Sequence, residues 1–276
     1  MNQDQLISPN QALWEKGDFT KLADTMRESG DQLVRTLGIE EGMKVLDLGC
    51  GDGTTALPAA LLRANVLGVD VSRNLVAAGT KRAQGAGLDN LQFIHGTAFD
   101  LQGIEDNTFD RVVSIFGAMF APRPFDVASE MVRVAKPGAT ITMGNWIPND
   151  PTLVAQVLRV CSAYMPAPPE GTISPMTWGF EENVIERFTQ AGIAKENITC
   201  ERETYVFHYD STPEDYVNLF RDYYGPTMNA FEAAEEKGKA DQLYKELVDL
   251  FESQNQSKDP KKTLIPATFL RVTARV

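Results

Sequence analysis

The run Asp47-Leu48-Gly49-Cys50-Gly51-Asp52-Gly53 and a later aspartate, Asp70, hold the residues in this chain best placed to do chemistry. Glycines at alternate positions let a backbone turn sharply and let a ligand approach where a Cβ would stand. An apolar stretch, 44–48, precedes the loop and a helical pattern, 54–63, follows it. The loop therefore joins a strand to a helix start, whose unpaired N–H groups suit an anionic group. A second apolar stretch, 65–70, ends in Asp70. The distance in sequence from Gly53 to Asp70 is close to that at which an acidic residue meets a ribose in doubly wound sheets. A glycine triplet alone is an ordinary turn. A strand, Asp47, three glycines and Asp70 in this order describe a pocket for a nucleoside with a charged tail.

Two cofactors fit such a layout. Dinucleotides require G-x-G-x-x-G, with a third glycine under the pyrophosphate. That place is Thr54 here, and the pattern is G-x-G-x-G instead. S-adenosylmethionine has no phosphate. It carries an amino-acid end and a sulfonium, and acidic residues beside the loop suit it better.

The elements that must hold these residues alternate along the chain. Strands are expected at 44–48, 65–70, 91–95, 110–115 and 139–146, with helices at 11–38, 54–63, 73–84 and 125–135. Pro58 is tolerable only near the first turn of its helix. This βαβ spacing implies an α/β fold with a doubly wound, mostly parallel sheet covered on both faces. Beyond Trp146 the pattern changes. Helices are expected at 153–164 and 181–190, strands at 198–208 and 265–276, for seven strands in all. Residues 213–256 are helical in composition and fall between the last two strands. They read as a lid inserted into one domain spanning 1–276, with 1–40 as an N-terminal helical cover.

Composition narrows the function. The 276 residues are 43% hydrophobic and 23% charged, ordinary globular values. The net charge of −12 and the lack of a Lys/Arg cluster disfavour a nucleic-acid partner. No apolar run is long enough to span a membrane, and the first ten residues lack the pattern of a secretory signal. Three cysteines, Cys50, Cys161 and Cys200, have neither disulfide-framework nor zinc spacing, which fits a reducing cytoplasm and no metal site.

The loop resembles motif I of class I S-adenosylmethionine-dependent methyltransferases, and Gly68-Val69-Asp70-Val71-Ser72 resembles their acidic second motif. Phe109-Asp110-Arg111-Val112-Val113-Ser114 with Phe116-Gly117-Ala118-Met119-Phe120 is similar to the fourth-strand motif. Val134-Ala135-Lys136-Pro137-Gly138 resembles the segment before strand five. Trp14 to Phe19 and Gly144-Asn145-Trp146 are most similar to the ubiquinone/menaquinone-biosynthesis-type branch of small-molecule methyltransferases. The resemblance covers about residues 10–147. It implies a Rossmann-like fold in which Asp47, Gly49, Cys50, Gly51 and Gly53 surround the methionine end. Asp70 takes the ribose and Val71 lies against the adenine. Thr97 stands where the family often has an aspartate, so its hydroxyl is left to accept from the adenine amino group, or the Ala98 N–H to donate to an adenine ring nitrogen. Phe116 neighbours the sulfonium.

Trp14, Phe19, Met119, Asn145, Trp146, Tyr223 and Tyr224 are the candidates for contact with the acceptor. Asn145-Trp146 ends strand five at the carboxyl edge, where ligands bind in such sheets. The tyrosines lie in the inserted helices, where plain aromatic packing is the rival reading. His95 reads better as a strand-ending histidine than as a general base, and His208 sits in a strand near the lid. No base stands out. The expected function is methyl transfer to a small organic acceptor at carbon, oxygen or nitrogen. The alternatives are a non-catalytic S-adenosylmethionine-binding regulator and an NAD-dependent dehydrogenase, the latter opposed by Thr54.

Overall fold

The computed structural model describes residues 3–276. In chain order the elements are α1 (Gln3–Glu15), α2 (Phe19–Ala23), α3 (Arg27–Val34), β1 (Lys44–Leu48), α4 (Ala56–Leu61), β2 (Asn65–Asp70), α5 (Arg73–Gly85), β3 (Leu91–His95), β4 (Phe109–Ile115), α6 (Pro124–Val134) and β5 (Ala135–Trp146). Then follow α7 (Leu153–Ser162), α8 (Glu181–Gln190), β6 (Ile198–Tyr209), α9 (Pro213–Tyr223), α10 (Gly225–Glu236), α11 (Ala240–Gln254) and β7 (Thr263–Arg275). The seven strands form one sheet in the order β3-β2-β1-β4-β5-β7-β6. β7 is antiparallel to both of its neighbours, and the other pairings are parallel.

The alternation of side chains along each strand feeds two cores. Val45 and Val113 pack with Val34, Ala56, Ala59 and Val66 on one side. Leu46 and Val112, their chain neighbours, pack with Val127, Met131 and Ile141 on the other. All four strand residues are at most 1% exposed, so the central strands read as unbroken apolar runs. Burying each such side chain contributes about 1.5–3 kcal/mol.

Chain order reverses between β1 and β4, which opens a crevice at their carboxyl ends. Pro58 is the third residue of α4, where its missing N–H would have no helical partner anyway.

Two expectations are corrected in detail. The N-terminal helix is three pieces. Gly17 at φ +72 breaks it, and Asp18 then caps α2 by accepting from the Thr20 N–H. β5 begins at Ala135 rather than residue 139, since the chain leaves α6 directly into pairing with Phe109. The register shift opposite Phe109 and Arg111 absorbs Pro137-Gly138. Residues 213–256 form α9, α10 and α11, which pack on one another, with α10 and α11 also on α7, while α9 meets α2 and α10 meets α1.

Candidate cofactor and acceptor cleft

The glycine loop folds as it does because the β2 end holds it. Gly49 and Cys50 donate their N–H groups to the Val69 carbonyl at 2.8 and 3.1 Å. Gly51 donates to Asp70 Oδ2 at 2.8 Å, and Ser72 donates to Asp70 Oδ1 at 2.9 Å. Each oxygen of Asp70 thus takes one backbone bond and keeps capacity for a ligand hydroxyl. Ser72 caps α5.

The glycines differ in what they permit. A Cβ on Gly49 would lie 2.7 Å from the Gly117 backbone, and one on Gly117 would lie 2.2 Å from the Gly49 carbonyl oxygen. Those two backbones cross in contact and fix β1 against β4. Gly51 is the opposite case: at φ +54 it has nothing within 4 Å of its Cβ position. The space there is open.

Asp47 is 1% exposed and its Oδ2 has no partner. Burial, with Asp70 nearby, pushes its carboxyl up to about 8. An orphaned buried carboxylate oxygen on a residue lining a cleft fits an incoming ammonium. Asp70 is also raised, mainly by burial, with its backbone bonds opposing.

Asp52 has a different environment. Arg27 Nη1 donates to its Oδ1 at 2.9 Å and Arg27 Nη2 pairs with Oδ2. Arg82 donates to the Asp52 carbonyl at 2.6 Å.

A cleft of about 940 Å³, counting its open mouth, runs over these residues. Of the expected cofactor residues, Asp47, Gly49, Cys50, Gly51, Asp70, Val71, Thr97, Ala98 and Phe116 line it. Gly53 lies beneath the loop, where its Cβ would strike Leu57 and Phe93. The Thr97 hydroxyl accepts from the Phe99 N–H at 3.2 Å.

Phe116 takes φ +60, costly for a residue with a side chain. Its ring stacks on Trp146 at 3.7 Å, with Tyr205 and Phe269 perpendicular to it.

Of the expected acceptor residues, Trp14 and Phe19 line the cleft. Trp14 meets Phe19 at 5.6 Å and Phe120 at 4.9 Å, forming an aromatic mouth. Tyr224 backs this cluster from α9's end, 6.2 Å from Trp14. Met119, Asn145, Trp146 and Tyr223 are not in the lining. Met119 is 1% exposed, and Asn145 is fully buried with both polar side-chain atoms unpartnered. His95 is exposed at the end of edge strand β3, and His208 faces Glu28 at 3.4 Å.

The sequence reading missed Met26, Leu75, Phe99, Phe120, Tyr205 and the pair Thr54-Thr55, all in the lining. Phe120 lay within a quoted motif and could have been found there. Tyr205 arrives from β6 with no local signal, donating its hydroxyl to the Met26 carbonyl at 2.8 Å.

A model of the methyltransferase domain family matches residues 46–143, from β1 into β5. Fold and site together define a class I S-adenosylmethionine-dependent methyltransferase, and the chain belongs to that family. It is 31% identical to the uncharacterized protein Rv1403c of Mycobacterium tuberculosis over 220 residues, 79% of this chain and 78% of that one. It is 36% identical to the demethylmenaquinone methyltransferase of Bacillus pumilus over 114 residues, 40% of this chain and 48% of that one. The crystal structure of YcgJ from Bacillus subtilis superposes with a TM-score of 0.58 at 20% identity, covering 90% of this chain and 99% of that one. Phosphoethanolamine N-methyltransferase 2 of Haemonchus contortus, solved with S-adenosylhomocysteine, gives 0.56 at 18% identity, covering 90% and 52%.

Proposed function

We propose that this enzyme methylates a small, partly apolar organic molecule, at carbon, oxygen or nitrogen, which enters between Trp14, Phe19 and Phe120. One observation supports this above the rest: the polar loop site and the aromatic mouth are two ends of a single cleft. S-adenosylmethionine supplies an activated methyl group when bound. Asp47 would pair with its ammonium, Asp70 would hold the ribose, and Val71 and Ala98 would flank the adenine.

The chain's own contribution is alignment and exclusion of water, and alignment alone is worth about 7–11 kcal/mol in favourable cases. The ionisable groups in the lining are Asp47, Asp52, Asp70, Cys50 and Tyr205. Burial pushes the Cys50 and Tyr205 protons to higher pKa, and the Tyr205 proton is committed to Met26. That lining supports an acceptor that loses its proton readily or after transfer. Helices α9 to α11 would act as the movable cover. The acidic chain and its free thiols fit a small-molecule partner in a reducing cytoplasm rather than nucleic acid.

The test is incubation with S-adenosylmethionine and a panel of phenols, quinols, amines and activated carbon acids, following release of S-adenosylhomocysteine. Release with apolar members and none with charged ones is expected. Tight cofactor binding without release across the panel would favour a regulator instead.

A further inference from the structure

Thr54 occupies the position where a dinucleotide loop has glycine, and its hydroxyl has a defined environment. Arg27 Nη1 donates to Thr54 Oγ1. A hydroxyl has one proton and two lone pairs, so with one lone pair taken by Arg27 its proton must go elsewhere. Among the described residues no acceptor takes it, and Thr54 lines the cleft.

Arg27 is itself fixed. Its two terminal nitrogens grip both oxygens of Asp52, which is 2% exposed. Arg82 adds a second guanidinium, 3.6 Å from Asp52 Oδ1. Burial lowers the Arg82 pKa, and the charge of Arg27 lowers it further. Asp24 also meets Arg27, but its side chain is 70% exposed and water screens it. Two guanidiniums around one buried carboxylate leave this end of the loop net positive. The other end holds Asp47, whose Oδ2 is buried, unpartnered and acidic in kind. The loop thus offers, at one end, a carboxyl that an arriving ammonium would ionise and, at the other, guanidiniums, matching a zwitterion.

We propose that Thr54 grips the carboxylate of the cofactor's amino-acid tail, with Arg27 and Asp52 as positioning residues that aim its hydroxyl and make that end of the loop positive. The inference rests on the S-adenosylmethionine reading above.

The experiment compares calorimetric affinities for S-adenosylhomocysteine and for its decarboxylated analogue, which keeps adenosine, thioether and amine. Wild type should prefer the full ligand at least tenfold, and added salt should erode that preference. Thr54→Val, nearly the same shape, should weaken the full ligand about tenfold, as expected for a hydrogen bond to a charged group, and leave the analogue unchanged. Thr54→Ser should restore the preference. Arg27→Met should reduce it, and Arg27→Lys should retain part of it.

Equal loss of both ligands in Thr54→Val, or no loss of either, would overturn the proposal while leaving the cofactor in place. Failure of wild type to bind S-adenosylhomocysteine at all would overturn both. Should Arg27→Met not fold, the threonine pair and the salt titration still decide the matter.

Discussion

At the residue scale, Asp47 places a cost on the unliganded protein. Its carboxyl titrates at about 8 in the folded chain, against about 3.9 when unfolded. The native state therefore holds a proton that the unfolded state has lost between those values. That contribution to stability is full below pH 4 and drains away as pH climbs through 8. The expected result is that Asp47→Asn flattens the decline in melting temperature between pH 5 and pH 8 and raises it at pH 8. A parallel decline in both proteins would refute this.

An ammonium beside Asp47 would favour the ionised form. Binding S-adenosylhomocysteine at pH 7 should then release a proton, read as a dependence of calorimetric heat on the buffer's ionisation enthalpy. Asp70 behaves differently, because its two oxygens anchor Gly51 and Ser72. Asp70→Ala should weaken S-adenosylhomocysteine at least tenfold and also lower the melting temperature of the free protein. Intact affinity would remove Asp70 from the cofactor site.

Elements succeed or fail here by how closely backbones can approach. Gly117→Ala would drive a Cβ to 2.2 Å from the Gly49 carbonyl oxygen, where neither backbone can yield cheaply. A loss of at least about 3 kcal/mol in denaturant unfolding is expected. Gly51→Ala meets nothing, so it should cost only about 1–2 kcal/mol for its left-handed backbone yet block the ligand. Equal damage to stability by both variants would contradict this.

The same logic explains what could be read in advance. The buried parallel strands and the glycine loop were legible because each is a local pattern. The break at Gly17 was overlooked because the apolar residues beyond it keep helical spacing, although Gly17-Asp18 is a local stop-and-cap pair that carries it. Arg27 and Arg82 were invisible for another reason. Nothing in a sequence marks which of 26 basic residues will meet a buried carboxylate.

Across the whole molecule, the N-terminal helix α1 and the inserted helix α10 are tied together. Lys16 reaches Glu232 at 2.6 Å and Asn229 at 2.5 Å. A Cβ on Gly225 would lie 2.3 Å from the Leu13 carbonyl oxygen, so α10 starts in contact with α1. Glu15, at the end of α1, accepts from the Arg73 N–H at 2.9 Å, beside the β2 end. Segments so joined should open and close together. Hydrogen exchange is expected to slow in α1–α2 and in α9–α10 to a similar degree when cofactor and acceptor are both bound. Protection confined to one of the two would show that they move separately.

The aromatic mouth also makes the protein its own optical reporter. Of its three tryptophans, Trp146 and Trp178 are 4% and 1% exposed and neither lines the cleft. Their indoles are already buried away from water. Trp14 alone is half-buried and lines the cleft, where an acceptor entering as proposed would displace water from its ring. Its emission should shift to the blue as the mouth fills, and Trp14→Phe should silence the signal. Acceptors can then be sought by fluorescence titration, without turnover and without knowing which atom receives the methyl group.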